Sequence, residues 1–181
     1  GIEPGPNTVA IVSADDVFSL SAAEGAEQYA GELGYDVISL ATFEQEGDLL
    51  GILGDLTDDD PDMVLFSAHF EEALSFVETA KDVGLSPDMF GITVAPSDPA
   101  FVDELGADAD YVFGTSQWVP DVSYNGSVFG SAEGYTQLFQ QEYRREPDYH
   151  SAAASACGVS YQLALEEAGS LDRDDVRDAL G

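Results

Sequence analysis

From residue 8 onward, short runs rich in β-branched and large apolar residues alternate with longer stretches of helical pattern, and no other feature of the chain constrains its fold as much. Such alternation is the mark of β–α–β units joined into a parallel sheet. It predicts five strands, over Thr8–Ser13, Asp36–Ala41, Asp62–Ser67, Met89–Val94 and Asp110–Thr115. Their nearly continuous apolar character is that of strands covered on both faces. A helix is expected over Leu20–Leu33, ended by Gly34, and a shorter one over Asp48–Leu56, ended by the solvated run Asp58–Pro61. Phe70–Val83 carries Ala73, Leu74, Val77 and Ala80 on one stripe and stops at Gly84. Asp98–Leu105 is opened by Ser97 or Asp98, with Pro99 just inside. The expected fold class is therefore α/β, a doubly wound parallel five-stranded sheet.

After Thr115 the pattern changes. Trp118–Gly130 is rich in Gly, Pro, Ser and Asn and carries no period, and three helices are expected beyond it, Ala132–Arg145, Ser151–Ala168 and Arg173–Leu180, the last capped by Asp172. The division expected is an α/β lobe over residues 1–118, a linker over 119–130 and a helical segment over 131–181. The final helices hold Leu138, Phe139, Tyr143, Val159, Tyr161 and Leu163, too much apolar material for a free tail, so they are expected to bury it against a surface that need not lie entirely within these residues.

Charge narrows the possible partners. The chain has 36 Asp and Glu against 5 Lys and Arg, a formal net charge of −31, with the acids spread along its whole length. No basic patch exists to neutralise phosphates, which excludes nucleic acid as a partner. Such a surface repels itself at ordinary ionic strength, where the Debye length is about 8 Å, and is screened near 1 M salt, where it is about 3 Å. Adaptation to high salt is expected. The apolar runs fall far short of the roughly 20 residues of a membrane span. The start, Gly1-Ile-Glu-Pro-Gly-Pro6, has neither the basic opening nor the apolar core of a signal peptide, so the signal of an exported protein would lie outside this sequence. Cys157 stands alone in a small-residue stretch and is expected to be packed.

In an open parallel sheet, ligands bind beyond the carboxyl ends of the strands. That rule selects Ala14–Ser21, Ser67–Phe70, Thr93–Ser97 and Gly114–Pro120. These segments offer aromatic walls in Phe18, Phe70 and Trp118, hydroxyls in Ser19, Ser21, Ser67 and Thr93, and one imidazole, His69. Aromatic walls with a few hydrogen-bonding groups suit a small-molecule pocket, and a helix N-terminus beside them favours a negative or polar ligand group by about 0.3–1 kcal/mol. The competing reading is structural: Phe18 and Phe70 closing the end of the sheet, Ser21 capping a helix, His69 an ordinary loop histidine with no carboxylate spaced to partner it. Signals for catalysis, metal or cofactor are absent: no phosphate-cradling glycine loop, no His/Cys metal spacing, no G-x-S-x-G elbow. Asp15-Asp16 and Pro61–Phe66 resemble parts of two-component receiver domains, but Ser67 stands where a receiver needs its aspartate, and no lysine follows the fifth strand.

A different resemblance covers nearly the whole chain. Thr8–Ser19 with Glu24-Gly25, then Glu32–Val37, Pro61–Val64, Gly84-Leu85, Asp98–Phe101 and Ala168–Ser170 are similar, in order and spacing, to the branched-chain amino-acid-binding proteins of ABC transporters. The resemblance implies a flavodoxin-like lobe of the type I periplasmic-binding fold, no enzyme activity and no cofactor. It further implies a hinge crossing near Trp118 and terminal helices that return toward a first lobe not contained in these residues. The family's cleft positions fall on Phe18, with Ser19 and Ser21 beside it, on Ser67, Ala68, His69 and Phe70, and on Thr93, Val94 and Ala95. The chain departs from the family in Thr93–Ser97, which holds no carboxylate to meet a ligand's ammonium group. A carboxylate, amide or aromatic acid is therefore expected as readily as an amino acid. The implied role is an extracytoplasmic solute-binding component, anchored or periplasmic, that delivers a small polar solute to an ABC permease. The same fold in receptors and transcriptional regulators makes a ligand-sensing domain the alternative, with an enzyme using His69 or Asp15 behind it.

Overall fold

The computed structural model describes residues 5–181; residues 1–4, the greater part of the Gly1–Pro6 segment, lie outside them. The chain divides into two compact units, one ending at Thr115 and one spanning Ser116–Gly181.

The first unit is a parallel sheet of β1 (Thr8–Ala14), β2 (Asp36–Phe43), β3 (Met63–Ser67), β4 (Met89–Ile92) and β5 (Val112–Gly114), in the order β2-β1-β3-β4-β5. Helices α1 (Val17–Leu33), α2 (Leu49–Asp59), α3 (Phe70–Val83) and α4 (Pro99–Leu105) provide the crossovers. The alternation predicted the parallel five-stranded sheet, and its order is that of the flavodoxin-like lobe the family resemblance implied. The last two strands are shorter than their apolar runs. Chain beyond Ile92 winds into a 3₁₀ turn at Ala95–Ser97, and Tyr111 adopts a left-handed φ of 65°, which keeps it out of β5. Gly34 and Gly84 end α1 and α3 at φ 86° and 79°, where a side chain would be strained.

Two apolar layers hold the sheet. On one face Ala10, Val12, Val64, Phe66 and Ile92 pack against Leu49, Leu53 and Leu56 of α2, Phe76 and Val77 of α3, and Phe101 of α4. Phe66 is stacked between Phe43 and Phe76, with centroids 5.7 and 4.1 Å away. The other face carries Val9, Ile11 and Met63 against Ala23 and Ala30 of α1. β2 departs from the expectation of strands covered on both sides. It is an edge strand whose burial alternates, leaving Ile38 and Leu40 exposed.

Asp62 ties the lower ends of β1 and β3. Its carboxylate accepts from the backbone N–H groups of Asn7 and Thr8, both at 2.8 Å, and from Thr8 Oγ1 at 3.0 Å. Those bonds, the Thr8 and Asn7 N–H groups first, hold its carboxyl below the ordinary carboxylate range.

The second unit holds a small antiparallel pair, β6 (Asn125–Gly126) and β7 (Gly130–Ser131), in the segment that showed no period. It continues with α5 (Ala132–Tyr143), α6 (Tyr149–Ala168) and α7 (Arg173–Leu180), capped by Ser131, Asp148 and Asp172. Tyr135 joins Trp118, Phe129 and Phe139 in an aromatic cluster, and its hydroxyl lies 3.0 Å from Ser155 Oγ. The described residues do not supply the surface that the final helices are expected to pack against. Leu138, Tyr143, Tyr161 and Leu163 remain exposed, and along α6 only Ala164 is buried. Cys157 is likewise exposed rather than packed, because α6 turns it to a side on which no described residue covers it.

Candidate functional site

With the order β2-β1-β3-β4-β5, the chain reverses direction across the sheet between β1 and β3, and a crevice opens beyond the carboxyl ends of those two strands. Its rims are Asp15 to Ser21 after β1 and Ser67 to Phe70 after β3.

Asp16 organises the first rim. α1 begins at Val17, three residues earlier than its apolar periodicity suggested, because Asp16 is its N-cap. The carboxylate accepts from the N–H groups of Phe18 at 2.9 Å and Ser19 at 3.0 Å, and from Ser19 Oγ at 2.6 Å. These bonds, led by the Ser19 hydroxyl, depress its pKa and outweigh its partial burial. Ser19 is fully buried with its hydroxyl committed to the cap, while Phe18 and Ser21 face outward from the first turns of α1.

His69 supplies the second rim. It caps α3 in extended conformation without a side-chain bond to the helix, so its imidazole projects outward. The ring stacks on Phe18, centroids 5.5 Å apart and planes 26° apart, and Nε2 lies 3.6 Å from Asp16 Oδ2. The expectation that His69 has no carboxylate partner is thus corrected: Asp16, distant in sequence, reaches it because β1 and β3 are neighbours in the sheet. Asp15, Asp16, Glu44, Glu46, His69 and Glu72 line a concavity of about 550 Å³ here. Glu44, Glu46 and Glu72 were not among the residues selected from the sequence, whereas Asp15 and Asp16 entered with the segment Ala14–Ser21.

The remaining candidates have varied surroundings. Ala68 is buried, and its backbone N–H and carbonyl are both bound by Thr93 Oγ1, which ties the ends of β3 and β4 together. Ser67 Oγ, buried next to them, has no hydrogen-bond partner among the described residues. Phe70 turns inward, edge-on to Phe101 at 6.4 Å, and joins the core. Ala95 is buried and Val94 half-buried at the 3₁₀ turn. Trp118 belongs to the second unit, where it stands edge-on to Tyr135 at 5.5 Å. Among the described residues, no three His, Cys, Asp or Glu side chains are grouped to hold a metal ion, and no helix is long and apolar enough to cross a membrane.

The model of a family described as periplasmic binding protein matches residues 2–181. Among solved structures, a leucine-binding protein from Thermotoga maritima superposes with a TM-score of 0.85 at 17% identity, covering 98% of this chain and 50% of its own. A leucine-, isoleucine-, valine-, threonine- and alanine-binding protein from Brucella ovis gives 0.80 at 18% identity, covering 97% and 44%. An amino acid ABC transporter substrate-binding protein from Pseudomonas fluorescens gives 0.78 at 20%, covering 97% and 46%. The chain thus spans about half the length of the solved structures it matches.

Proposed function

The chain belongs to the periplasmic binding protein family, a family of binding proteins and not of enzymes, and from that premise we propose that it forms much of the solute site of an extracytoplasmic ABC-importer component. The observation that carries the reading is the Phe18–His69 stack beside Asp16 in the crevice between β1 and β3. Phe18 and the imidazole face present apolar surface to a ligand's side chain. The uncapped N–H groups at the start of α3 and the buried Ser67 hydroxyl are suited to a carboxylate or amide oxygen. Asp15 and Glu72 line the adjoining concavity and offer the negative charge that Thr93–Ser97 lacks, which favours an amino acid over a simple acid. The binding proteins similar to this chain, named for leucine and related amino acids, support the same class.

Capture proceeds by closure about a hinge, with residues 1–118 as one lobe, a crossing at 119–130 beginning beside Trp118, and 131–181 returning to a second lobe. Contacts made only in the closed state drive that closure, and an ABC permease receives the solute. Small-angle scattering on the product of the gene, with and without an amino acid that it binds, tests the hinge. A smaller radius of gyration on saturation is expected, and an unchanged profile at saturation would contradict closure.

A further inference from the structure

Asparagine is scarce in this chain: only Asn7 and Asn125 occur among its 181 residues, against 36 Asp and Glu. Asn125 is followed by Gly126 and Ser127, which completes an N-x-S triplet with no proline in the middle, whereas Asn7 has Val9 at the third place and completes none. That triplet is the acceptor pattern of N-linked glycosylation, and it carries meaning only on an accessible surface of an exported protein.

Local structure gives Asn125 no other purpose. Asn-Gly is the usual pair of a two-residue hairpin turn, with a left-handed φ at both positions. Here the pair lies in β6, the turn runs through 127–129, and Gly130 at φ 72° supplies the left-handed residue. Neither Asn125 nor Gly126 has a positive φ. Strands disfavour asparagine, so neither the turn nor the strand accounts for it. Its surroundings suit an acceptor instead. Every residue over 123–131 is exposed. Tyr124 and Gly126 line a concavity of about 400 Å³ with Trp118, Phe129 and Tyr135, and Asn125 between them does not. Successive side chains of a strand point to opposite sides, so the Asn125 carboxamide faces away from that concavity, and a bulky group there displaces no packed side chain. β6 and β7 pair only through Asn125 with Ser131 and Gly126 with Gly130, a ladder short enough to open readily.

We propose that Asn125 is an N-glycosylation site. The co-reactant is a glycan carried on a lipid phosphate or pyrophosphate. A bond forms between Asn125 Nδ2 and C1 of the sugar, and the bond from C1 to the phosphate oxygen breaks. The lipid phosphate leaves with that electron pair, Nδ2 gives up one proton, and nothing is oxidised or reduced. The Ser127 hydroxyl is the second group that a transferring enzyme reads, with no side chain of Gly126 between the two. The inference rests on the extracytoplasmic placement proposed above and not on the choice of solute.

The test is mass spectrometry of the protein recovered, by cell fraction, from the cells that make it. Trypsin releases Asp82–Arg144, in which Asn125 is the one asparagine. A sugar mass is expected on this peptide, lost in Asn125→Gln and in Ser127→Ala and retained in Ser127→Thr. Only bare peptide, from protein found outside the cytoplasm, would overturn the proposal and leave the placement standing. Protein found wholly in the cytoplasm would overturn both. A sugar mass that survives Ser127→Ala, or conversion of Asn125 to aspartate as the sole change, would also refute the assignment.

Discussion

Replacing Asp16 with alanine tests whether the first rim of the crevice is built as described. Two losses combine. The N-cap of α1 disappears, which costs about 1 kcal/mol. The Ser19 hydroxyl, fully buried and bonded to Asp16 Oδ2 at 2.6 Å, loses its partner, which costs about 1–3 kcal/mol. A total of about 2–4 kcal/mol follows, or roughly 8–16 °C in Tm at about 4 °C per kcal/mol for a unit of this size. Asp16→Asn keeps a capping oxygen and should stay within about 0.5 kcal/mol of the parent. Adding Ser19→Ala to Asp16→Ala removes the orphaned hydroxyl and should recover about 1 kcal/mol. Urea unfolding followed by far-UV circular dichroism in molar KCl measures all four proteins. An Asp16→Ala cost below about 0.5 kcal/mol, or no recovery on adding Ser19→Ala, would refute the reasoning.

Phe66→Ala should cost about 3–5 kcal/mol in the same assay, because it empties a fully buried position between Phe43 and Phe76; a cost under about 1 kcal/mol would contradict the packing. Asp16 and Asp62 both have depressed folded pKa values, so their contributions are full above the unfolded value of 3.8 and vanish as pH falls through the folded values. Parent stability should therefore decline on acidification below about pH 5, and less steeply in Asp62→Ala; parallel curves would count against this linkage. Stability should also rise from dilute buffer to molar KCl as salt screens the −31 charge, and a salt-independent Tm would remove the case for salt adaptation.

The sheet was legible because β1 and β3 lie in its interior and are apolar at successive positions, as in Val9–Val12 and Met63–Phe66. β2 misled, since an edge strand keeps β-branched and aliphatic residues such as Ile38 and Leu40 for pairing even where they face solvent. The start of α1 was misjudged because Val17 and Phe18, poor helix formers, concealed the Asp16 cap; the Asp16–Ser19 spacing was the better guide. The aromatic and hydroxyl residues of the crevice could be selected by the carboxyl-end rule. Their pairing could not. Phe18 meets His69, and His69 meets Asp16, through the β1–β3 register, a long-range contact that no local pattern records. The exposed Cys157 and the bare flank of α6 have a similar cause. Between Asp148 and Glu166 the helix carries no acid, which reads as a buried segment, yet the described residues do not cover it.

A thermal-shift screen in molar KCl tests the central claim most directly, using the product of the gene against amino acids, small carboxylates, amides and aromatic acids. A solute at about 100 times its Kd should add roughly 2.7 kcal/mol of apparent stability. The account predicts such a rise with an amino acid, and its loss in Phe18→Ala and His69→Ala proteins that remain folded. No shift with any compound in a well-folded protein would contradict solute capture, and a rise untouched by either substitution would move the site away from the Phe18–His69 crevice.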